Sequence, residues 1–388
     1  MKDDKSYICL VSLLVIATLV IPSYGIVEAL TGEDKISIDE SNLMLVNFDE
    51  SKLQSDSGRS FIDASEVKSD SCIIINGGKE ISSELSRAME DAIYDGAAVA
   101  LVGGNYEPLL NIGSKLMANS GVEGIQAYGI KYDQERDKQY LFKVAGFDSE
   151  YKAVEQMYKM MDEVQNEKKI VESNTRDVVE GISGEVQSIF SYNCGSAGIM
   201  NIRTSYLEVE DSSENYNFYL VHYKLQSVCY DGHSKAYMGF EADVDADETY
   251  GEYQHISEYY PTTESGSTTV SFGFNVGGGY DGGPSATGGL NVSWSHSYPD
   301  VSSIDNSDLS QELFNITYDI NECTNSGYNT LMVEPGLAVA CSMNGDGNYH
   351  IVEEYRTQFC DIVIRGLWHN NFTFYYVYDD IVFNGEYA

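Results

Sequence analysis

The sequence predicts an α+β multidomain protein: a small α/β domain, a connecting helix, and a C-terminal all-β sandwich that carries a long amphipathic hairpin. Three observations support this prediction. Short apolar runs alternate with helical spacing in the first half, a period of two dominates from about residue 190, and one segment of the second half is almost without charge. Alternating strands and helices are typical of α/β units, and repeated period-two strands are typical of sandwiches.

Residues 1–25 have the composition of a secretory signal peptide. Two lysines precede an apolar segment of 14 residues, Cys9–Pro22, and small and turn residues follow it. This segment is short for a membrane-spanning helix. Three N-glycosylation sequons, at Asn291, Asn315 and Asn371, are also typical of an exported protein. We therefore expect a secreted, extracellular protein, with an uncleaved N-terminal anchor as the alternative.

The chain is strongly acidic, with 61 acidic residues, 23 basic residues and a net charge of −38. We expect no nucleic-acid partner, because phosphate binding needs clusters of Lys and Arg. The acidic excess indicates a solvated coat. Such a coat suits a protein adapted to high salt, where screening weakens the repulsion between like charges.

The segment boundaries follow from shifts in composition and period. A polar, acidic linker over residues 26–69 precedes a small α/β domain at residues 70–148, whose β-α-β-α-β pattern predicts a compact parallel sheet. We interpret this domain as a recognition or regulatory module. Helical spacing continues over residues 149–189, as a connector that packs on another element or separates the two halves as an acidic stalk. Residues 190–388 are predicted to form the β-sandwich domain.

Six cysteines remain after the signal peptide, and an even number in an exported chain favours disulfides. We predict a bridge between Cys323 and Cys341, which would enclose a short loop. A bridge between Cys194 and Cys229 is also expected, with Cys360 as a competitor for either partner.

We find no sequence motif that indicates an enzyme. The two glycine turns of the α/β domain lack the spacing of a phosphate-binding loop, and the six histidines are scattered. The acidic run Asp243–Glu248 lacks the central glycine and the final glutamate of a calcium loop. We therefore expect no enzymatic activity, no cofactor and no metal site.

The most unusual segment is the hairpin predicted at residues 268–298. Between Glu264 and Asp300 the only charged side chain is Asp281, although 22% of the chain is charged. By the period of two, one face carries the apolar residues Val270, Phe272, Phe274, Val276, Leu290, Val292 and Trp294. The opposite face carries the uncharged polar residues Ser271, Asn275, Asn291, Ser293 and Ser295. Soluble half-buried strands alternate in the same way, but the near absence of charge favours a lipid-facing side and a lumen-facing side.

Insertion of this hairpin would require several copies of the chain. Seven apolar side chains supply only ~2–4 kcal/mol of insertion free energy. A single hairpin would also expose unpaired backbone groups to lipid, at a cost of several kcal/mol for each group. A closed ring of hairpins removes those edges, so membrane insertion implies a homo-oligomer.

Several segments around the hairpin resemble the stem region of the leukocidin/alpha-hemolysin β-barrel pore-forming toxins. They are HISEYYP at His255–Pro261, TTVSFGFN at Thr268–Asn275, GGLNVSWSHSY at Gly288–Tyr298 and the PDV that follows. The resemblance implies a secreted monomer with a folded pre-stem, which assembles into a ring and releases the stem into a bilayer. It also implies that the flanking strands form a leukocidin-like cap sandwich.

The predicted function is that of a secreted, cytolysin-like pore-forming protein. Its expected partners are membrane lipid or a surface receptor, and further copies of the same chain. The alternative is a non-lytic secreted or cell-surface adhesion protein, in which the same sandwich holds the hairpin packed permanently.

Overall fold

The computed structural model describes residues 42–48, 67–171, 182–209, 216–230, 233–243, 254–260, 269–276, 290–297, 302–319, 330–342, 349–361 and 372–383. Within these ranges the chain is mostly β-sheet, with three α-helices. None of the described helices combines the length and the hydrophobicity that a membrane span requires.

The α/β unit has a mixed sheet rather than the predicted parallel one. Strands β1 (Leu43–Val46), β2 (Cys72–Asn76) and β3 (Ala98–Val102) are parallel, whereas β5 (Ala127–Asp133) runs antiparallel to β3, and β6 (Lys138–Ala145) runs antiparallel to β5. The prediction was wrong for the last two strands because a tight turn joins β5 to β6, and such a turn can only connect antiparallel neighbours.

Helices cover both faces of this part of the sheet. Helix α1 (Ser83–Tyr94) begins at the N-cap Ser82, whose side chain accepts a hydrogen bond from the Leu85 amide, and α2 is Glu107–Gly113. Odd-numbered residues of β2 and β3 pack with the buried side of α1, and even-numbered residues pack with α3 (Glu150–Val171).

The predicted connector is therefore a packed helix and not a stalk. The buried apolar residues in the described part of α3 are Ala153, Val154, Met157, Tyr158, Met160, Met161 and Val164. The helix ends at Val171 and a strand begins at Ile182, so the helix predicted as far as residue 189 is too long. The apolar spacing that indicated it stops at Val164, and the alternation of β7 (Ile182–Asn193) begins beyond it.

The first sheet continues across the expected boundary at residue 190. Strand β6 pairs in parallel with β7, and α3 forms the crossover between them. The sheet has eleven strands in the described residues. Beyond β7 they are β8 (Gly198–Val209), β9 (Tyr216–Cys229), β16 (Thr330–Val333), β17 (Gly336–Ser342) and β11 (Gln254–Tyr260).

A second, six-stranded sheet faces the first. Its order is β14 (Ser302–Asp305), β15 (Leu313–Asp319), β10 (His233–Asp243), β18 (Tyr349–Asp361), β19 (Phe372–Phe383) and β4 (Ala118–Ser120). Because β4 belongs to the α/β unit, that unit supplies strands to both sheets. Between the sheets, the Phe240 ring lies 4.3 Å from Tyr223 and 5.3 Å from Tyr355, measured between ring centroids.

No disulfide joins the described cysteines Cys72, Cys194, Cys229 and Cys341, all of which are buried. The predicted Cys194–Cys229 bridge is therefore absent, and burial raises the pKa of the Cys194 thiol. The Cys341 thiol faces Gln254 across the β11–β17 ladder and donates to its Oε1 at 3.6 Å, and the bridge predicted to Cys323 stays a prediction. Cys323 itself lies outside the described residues.

The sequon residue Asn315 is part of a polar network on the outer side of the second sheet. Its side-chain amide donates to Glu241 Oε2 at 2.6 Å and its side-chain carbonyl accepts from Arg356 Nη2 at 2.9 Å. Arg356 reaches across β10 to make this contact, because the residue opposite Arg356 in the ladder is Gly239, which has no side chain. A glycan on Asn315 would replace one of the two hydrogens on the amide nitrogen that donates to Glu241.

Candidate functional site: a two-stranded hairpin and its root

Strands β12 (Thr269–Val276) and β13 (Leu290–Ser297) form a separate two-stranded antiparallel sheet. Among the described strands they pair only with each other. Each strand has eight residues, fewer than the arms predicted within residues 268–298, and the tip over residues 277–289 lies outside the description. The hairpin backbone therefore has two outer edges to which no described strand bonds.

The register brings the predicted apolar residues together on one face, because directly opposed residues of an antiparallel ladder share a face. The opposed pairs on this face are Val270–His296, Phe272–Trp294, Phe274–Val292 and Val276–Leu290. All seven predicted membrane-facing residues are among them. His296 completes the set at the end of the hairpin nearest to the sandwich.

The other face carries the five predicted lumen-facing residues. Its opposed pairs are Thr269–Ser297, Ser271–Ser295, Gly273–Ser293 and Asn275–Asn291. Neither strand contains Asp, Glu, Lys or Arg. The register thus separates apolar from uncharged polar residues along both strands, and the orientation of these faces toward lipid and lumen stays a prediction.

In the chain, the hairpin lies between two strands that each end a sheet. Strand β11, which precedes it, lies at one end of the first sheet, and β14, which follows it, lies at one end of the second. The hairpin therefore connects the two sheets at one side of the sandwich.

Three polar contacts tie β11 to β14 and to Glu312, which lies between β14 and β15, and we call them the root clamp. Tyr259 on β11 donates from its hydroxyl to Asp305 Oδ2 on β14 at 3.0 Å. The backbone amide of Ile256 donates to Glu312 Oε2 at 2.6 Å, and His255 Nδ1 lies 3.2 Å from Glu312 Oε1. The clamp thus joins the strand that precedes the hairpin in the chain to the segment that follows it.

Local backbone geometry places the clamp residues. Glu312 has φ of 49° and follows the 3₁₀ turn Leu309–Gln311, so its carboxylate is directed at β11 from a left-handed position. The register of β11 shifts between Ile256 and Glu258, as in a β-bulge, which re-aims the following side chains. Burial raises the pKa of Tyr259 and of Glu258.

Sequence reasoning missed the root clamp. The segment His255–Pro261 was noticed only because it precedes the hairpin, and the partners of His255 and Tyr259 lie about fifty residues further along the chain. Strand periodicity contains no information on such long-range polar pairs. The proximity of Asp305 and Glu312 to the second arm was the only available signal.

The glycine turn Gly103–Gly104 lines a crevice of about 270 Å³ at the carboxyl end of β3. A Cβ on Gly104 would lie 2.2 Å from the backbone oxygen of Gly77, so this glycine allows the two turns to touch. The carboxylate of Glu150 lines this crevice and would repel a phosphate. Among the described residues, no group of three or more His, Cys, Asp or Glu side chains could hold a metal ion.

No family model and no curated protein matches this chain. Solved structures with similarity include Clostridium perfringens delta-toxin, with 11% identity and a TM-score of 0.32 over 51% of this chain and 89% of the toxin. A pore forming protein matches with 10% identity and a TM-score of 0.31, over 51% and 90% of the two chains. The membrane-inserted form of Clostridium perfringens NetB toxin matches with 10% identity and a TM-score of 0.29, over 52% and 96%.

Removing the Tyr259 hydroxyl should loosen the root of the hairpin. In Tyr259→Phe the ring keeps its contact with Phe314, at 5.3 Å, but Asp305 loses a hydrogen-bond donor. We expect the free energy of unfolding to fall by about 1–2 kcal/mol. Amide hydrogen exchange in β11 and β14 should accelerate more than exchange elsewhere.

The matched control is Tyr151→Phe on α3, where the side chain is 49% exposed. It should leave both the stability and the exchange rates unchanged. Equal exchange in β11 and β14 for the two variants would show that the clamp does not hold the root.

Proposed function

We propose that this chain is a secreted pore-forming protein whose copies assemble on a membrane and insert the β12–β13 hairpin. The observation that carries the proposal is a hairpin that pairs with no other described strand and separates apolar from uncharged polar residues on its two faces. An apolar outer face and a polar inner face are what a membrane β-barrel requires of each strand.

The outer edges of the hairpin support the requirement for several copies. In water these backbone groups are solvated, but in lipid each unpaired group costs several kcal/mol. Pairing β12 of one copy with β13 of the next would satisfy both edges. A ring of identical hairpins therefore follows from the backbone chemistry, with no added contact in the body.

The place of the hairpin in the chain, between β11 and β14, supports insertion of the hairpin while the sandwich stays folded. The hairpin emerges where two edge strands end, so its displacement would leave the ladders within both sheets unbroken. Only the root clamp, on the β11–β14 side, would need to adjust. The remaining sandwich would then act as the rigid part that holds the copies together.

Permeabilisation of vesicles tests this proposal directly. Purified protein should release a trapped fluorescent dye from phosphatidylcholine vesicles, and more rapidly at high salt. The reason is that a chain with a net charge of −38 repels its own copies, and salt screens that repulsion. The absence of release from vesicles with lipid extracts of eukaryotic, bacterial and archaeal membranes, at low and high salt, would contradict the proposal.

One observation favours the second candidate, a non-lytic adhesion protein. Tyr376 and Tyr378 on the outer side of β19 are 47% and 64% exposed, and exposed aromatic residues often mark contact surfaces. Under this reading, the protein would bind cells without releasing dye. Replacement of both tyrosines by serine would then abolish binding, whereas it should leave permeabilisation by a pore-forming protein intact.

A further inference from the structure

The carboxyl group of Glu353 lies in the core between the two sheets. The residue is fully buried on β18 and accepts hydrogen bonds from three tyrosine hydroxyls. Tyr206 of β8 lies 3.0 Å from both carboxyl oxygens, Tyr223 of β9 donates to Oε1 at 2.7 Å, and Tyr355 donates to Oε2 from the same strand. Because Tyr206 and Tyr223 belong to the first sheet and Glu353 to the second, this carboxyl group is a direct link between the sheets.

A second buried carboxyl group stands beside the first. Asp379 of β19 lies opposite Glu353 in the β18–β19 ladder and is 4% exposed. It forms an ion pair with the buried Lys143 of β6, which also donates to Ser120 Oγ at 2.9 Å. Ser188 of β7 donates to Asp379 Oδ2 at 3.3 Å.

When both carboxyl groups are ionised, the negative charges in this part of the core outnumber the positive ones. The charged or titratable groups that face Glu353 are Asp379, its partner Lys143, and the hydroxyls of Tyr206, Tyr223 and Tyr355. Lys143 supplies one positive charge against two carboxylates. Tyr128 of β5, also buried, has its pKa raised by burial and by the charge of Asp379, so it supplies no compensating charge.

Opposing effects act on the proton of Glu353. Burial, followed by the charge of Asp379, raises its pKa to about 7, although the three hydroxyl donors favour the ionised form. The ionised group can accept all three tyrosine hydrogen bonds. The neutral group must donate one itself, and Tyr355 then has Thr204 Oγ1 at 3.2 Å as an alternative partner.

We propose that Glu353 is a proton-operated link between the two sheets, neutral in weakly acidic surroundings and ionised in alkaline ones. Proton uptake removes the uncompensated buried charge and rearranges the tyrosine hydrogen bonds that join the sheets. This switch is independent of membrane insertion, because it belongs to the folded body in solution.

The direction of the effect on stability follows from linkage. A carboxyl group whose pKa is raised by folding binds its proton more tightly in the folded state. The stabilisation of the folded state by this proton is complete below pH 4.5, the ordinary pKa of a glutamate side chain. It is lost as the pH rises through about 7, the pKa of Glu353 in the folded state. The body should therefore become less stable from pH 5 to pH 8 through Glu353.

The test is urea unfolding of the full chain from pH 5 to pH 8, with Glu353→Gln beside Glu123→Gln, in which the replaced residue is exposed. Relative to Glu353→Gln, the folding equilibrium constant of the wild-type protein should fall by up to about a hundredfold over this range. Glu123→Gln should keep the wild-type pH dependence. An unchanged pH dependence in Glu353→Gln would overturn the proposal.

Infrared spectroscopy supplies a readout that does not depend on stability. The folded wild-type protein should show the C=O stretching band of a protonated carboxyl group at pH 5.5, and this band should disappear near pH 8 and be absent from Glu353→Gln. A band that is equally strong in Glu353→Gln would assign the proton to another group. If Glu353→Gln fails to fold, loss of the wild-type band with an apparent pKa near 7 still supports the proposal, and its absence at pH 5.5 contradicts it.

Discussion

Replacing Phe274 and Val292 together with aspartate should abolish dye release, whereas replacing Asn275 and Asn291 together with aspartate should preserve it. The two pairs are adjacent in the ladder, and the members of each pair are directly opposed. Both variants therefore place two like charges side by side, and they differ only in the face of the hairpin that carries them.

The expected difference is large because the first pair would place charge in lipid. A charged side chain on the lipid face costs up to about 2–4 kcal/mol near the bilayer centre, with acids at the lower end. Two such charges in each copy are comparable to the whole insertion free energy of the hairpin, so release should fall at least about tenfold. The asparagine pair should retain release and shift ion selectivity toward cations, which a bilayer conductance measurement would record.

Two outcomes would contradict this picture. Equal loss of release in both variants, with equal loss of thermal stability, would indicate a hairpin packed permanently on the body. Full release by the Phe274 and Val292 variant would show that these residues do not face lipid.

Replacing Lys143 with methionine should destabilise the body more than any surface substitution. Lys143 is the positive partner of Asp379, and both side chains are almost completely buried. Its removal leaves two neighbouring buried carboxyl groups without a cation. Breaking a buried pair in this way costs about 3–5 kcal/mol in the free energy of unfolding, measured by urea denaturation.

Two variants make this result specific. Lys143→Met combined with Asp379→Asn should regain most of the lost stability, because both charges are then absent. Lys115→Met breaks the exposed pair with Glu90 and should change the stability very little. Equal effects of Lys143→Met and Lys115→Met would show that the buried pair is not important for the fold.

The parts of the fold that could be predicted from the sequence are those that depend on local period. The apolar spacing through Val154, Met157 and Met161 indicated α3, and the alternation along Phe272 and Phe274 indicated an amphipathic strand. These patterns are set by which side of one element is covered, so neighbours in the sequence are sufficient to show them.

The continuity of the sheets could not be predicted, because it depends on contacts between distant segments. Nothing in Ala118–Ser120 indicates that it pairs with β19, more than 250 residues away. The same holds for the Lys143–Asp379 pair and for the three tyrosines around Glu353, since a polar residue in an alternating strand looks the same whether it faces water or a buried partner. The prediction of a Cys194–Cys229 bridge failed for a similar reason, because counting cysteines does not show which side chains meet.

The strands β6 and β4 have a consequence for how copies of this chain can approach one another. Without them, β7 and β19 would each end a sheet with a row of unsatisfied amide and carbonyl groups, which is the usual starting point of uncontrolled strand-to-strand association. The α/β unit therefore covers backbone groups of β7 and β19 that another chain could otherwise pair with. Among the described strands, the sheet ends that lie next to the hairpin in the chain are β11 and β14, so their edges are the ones that a neighbouring copy would meet beside an assembling hairpin.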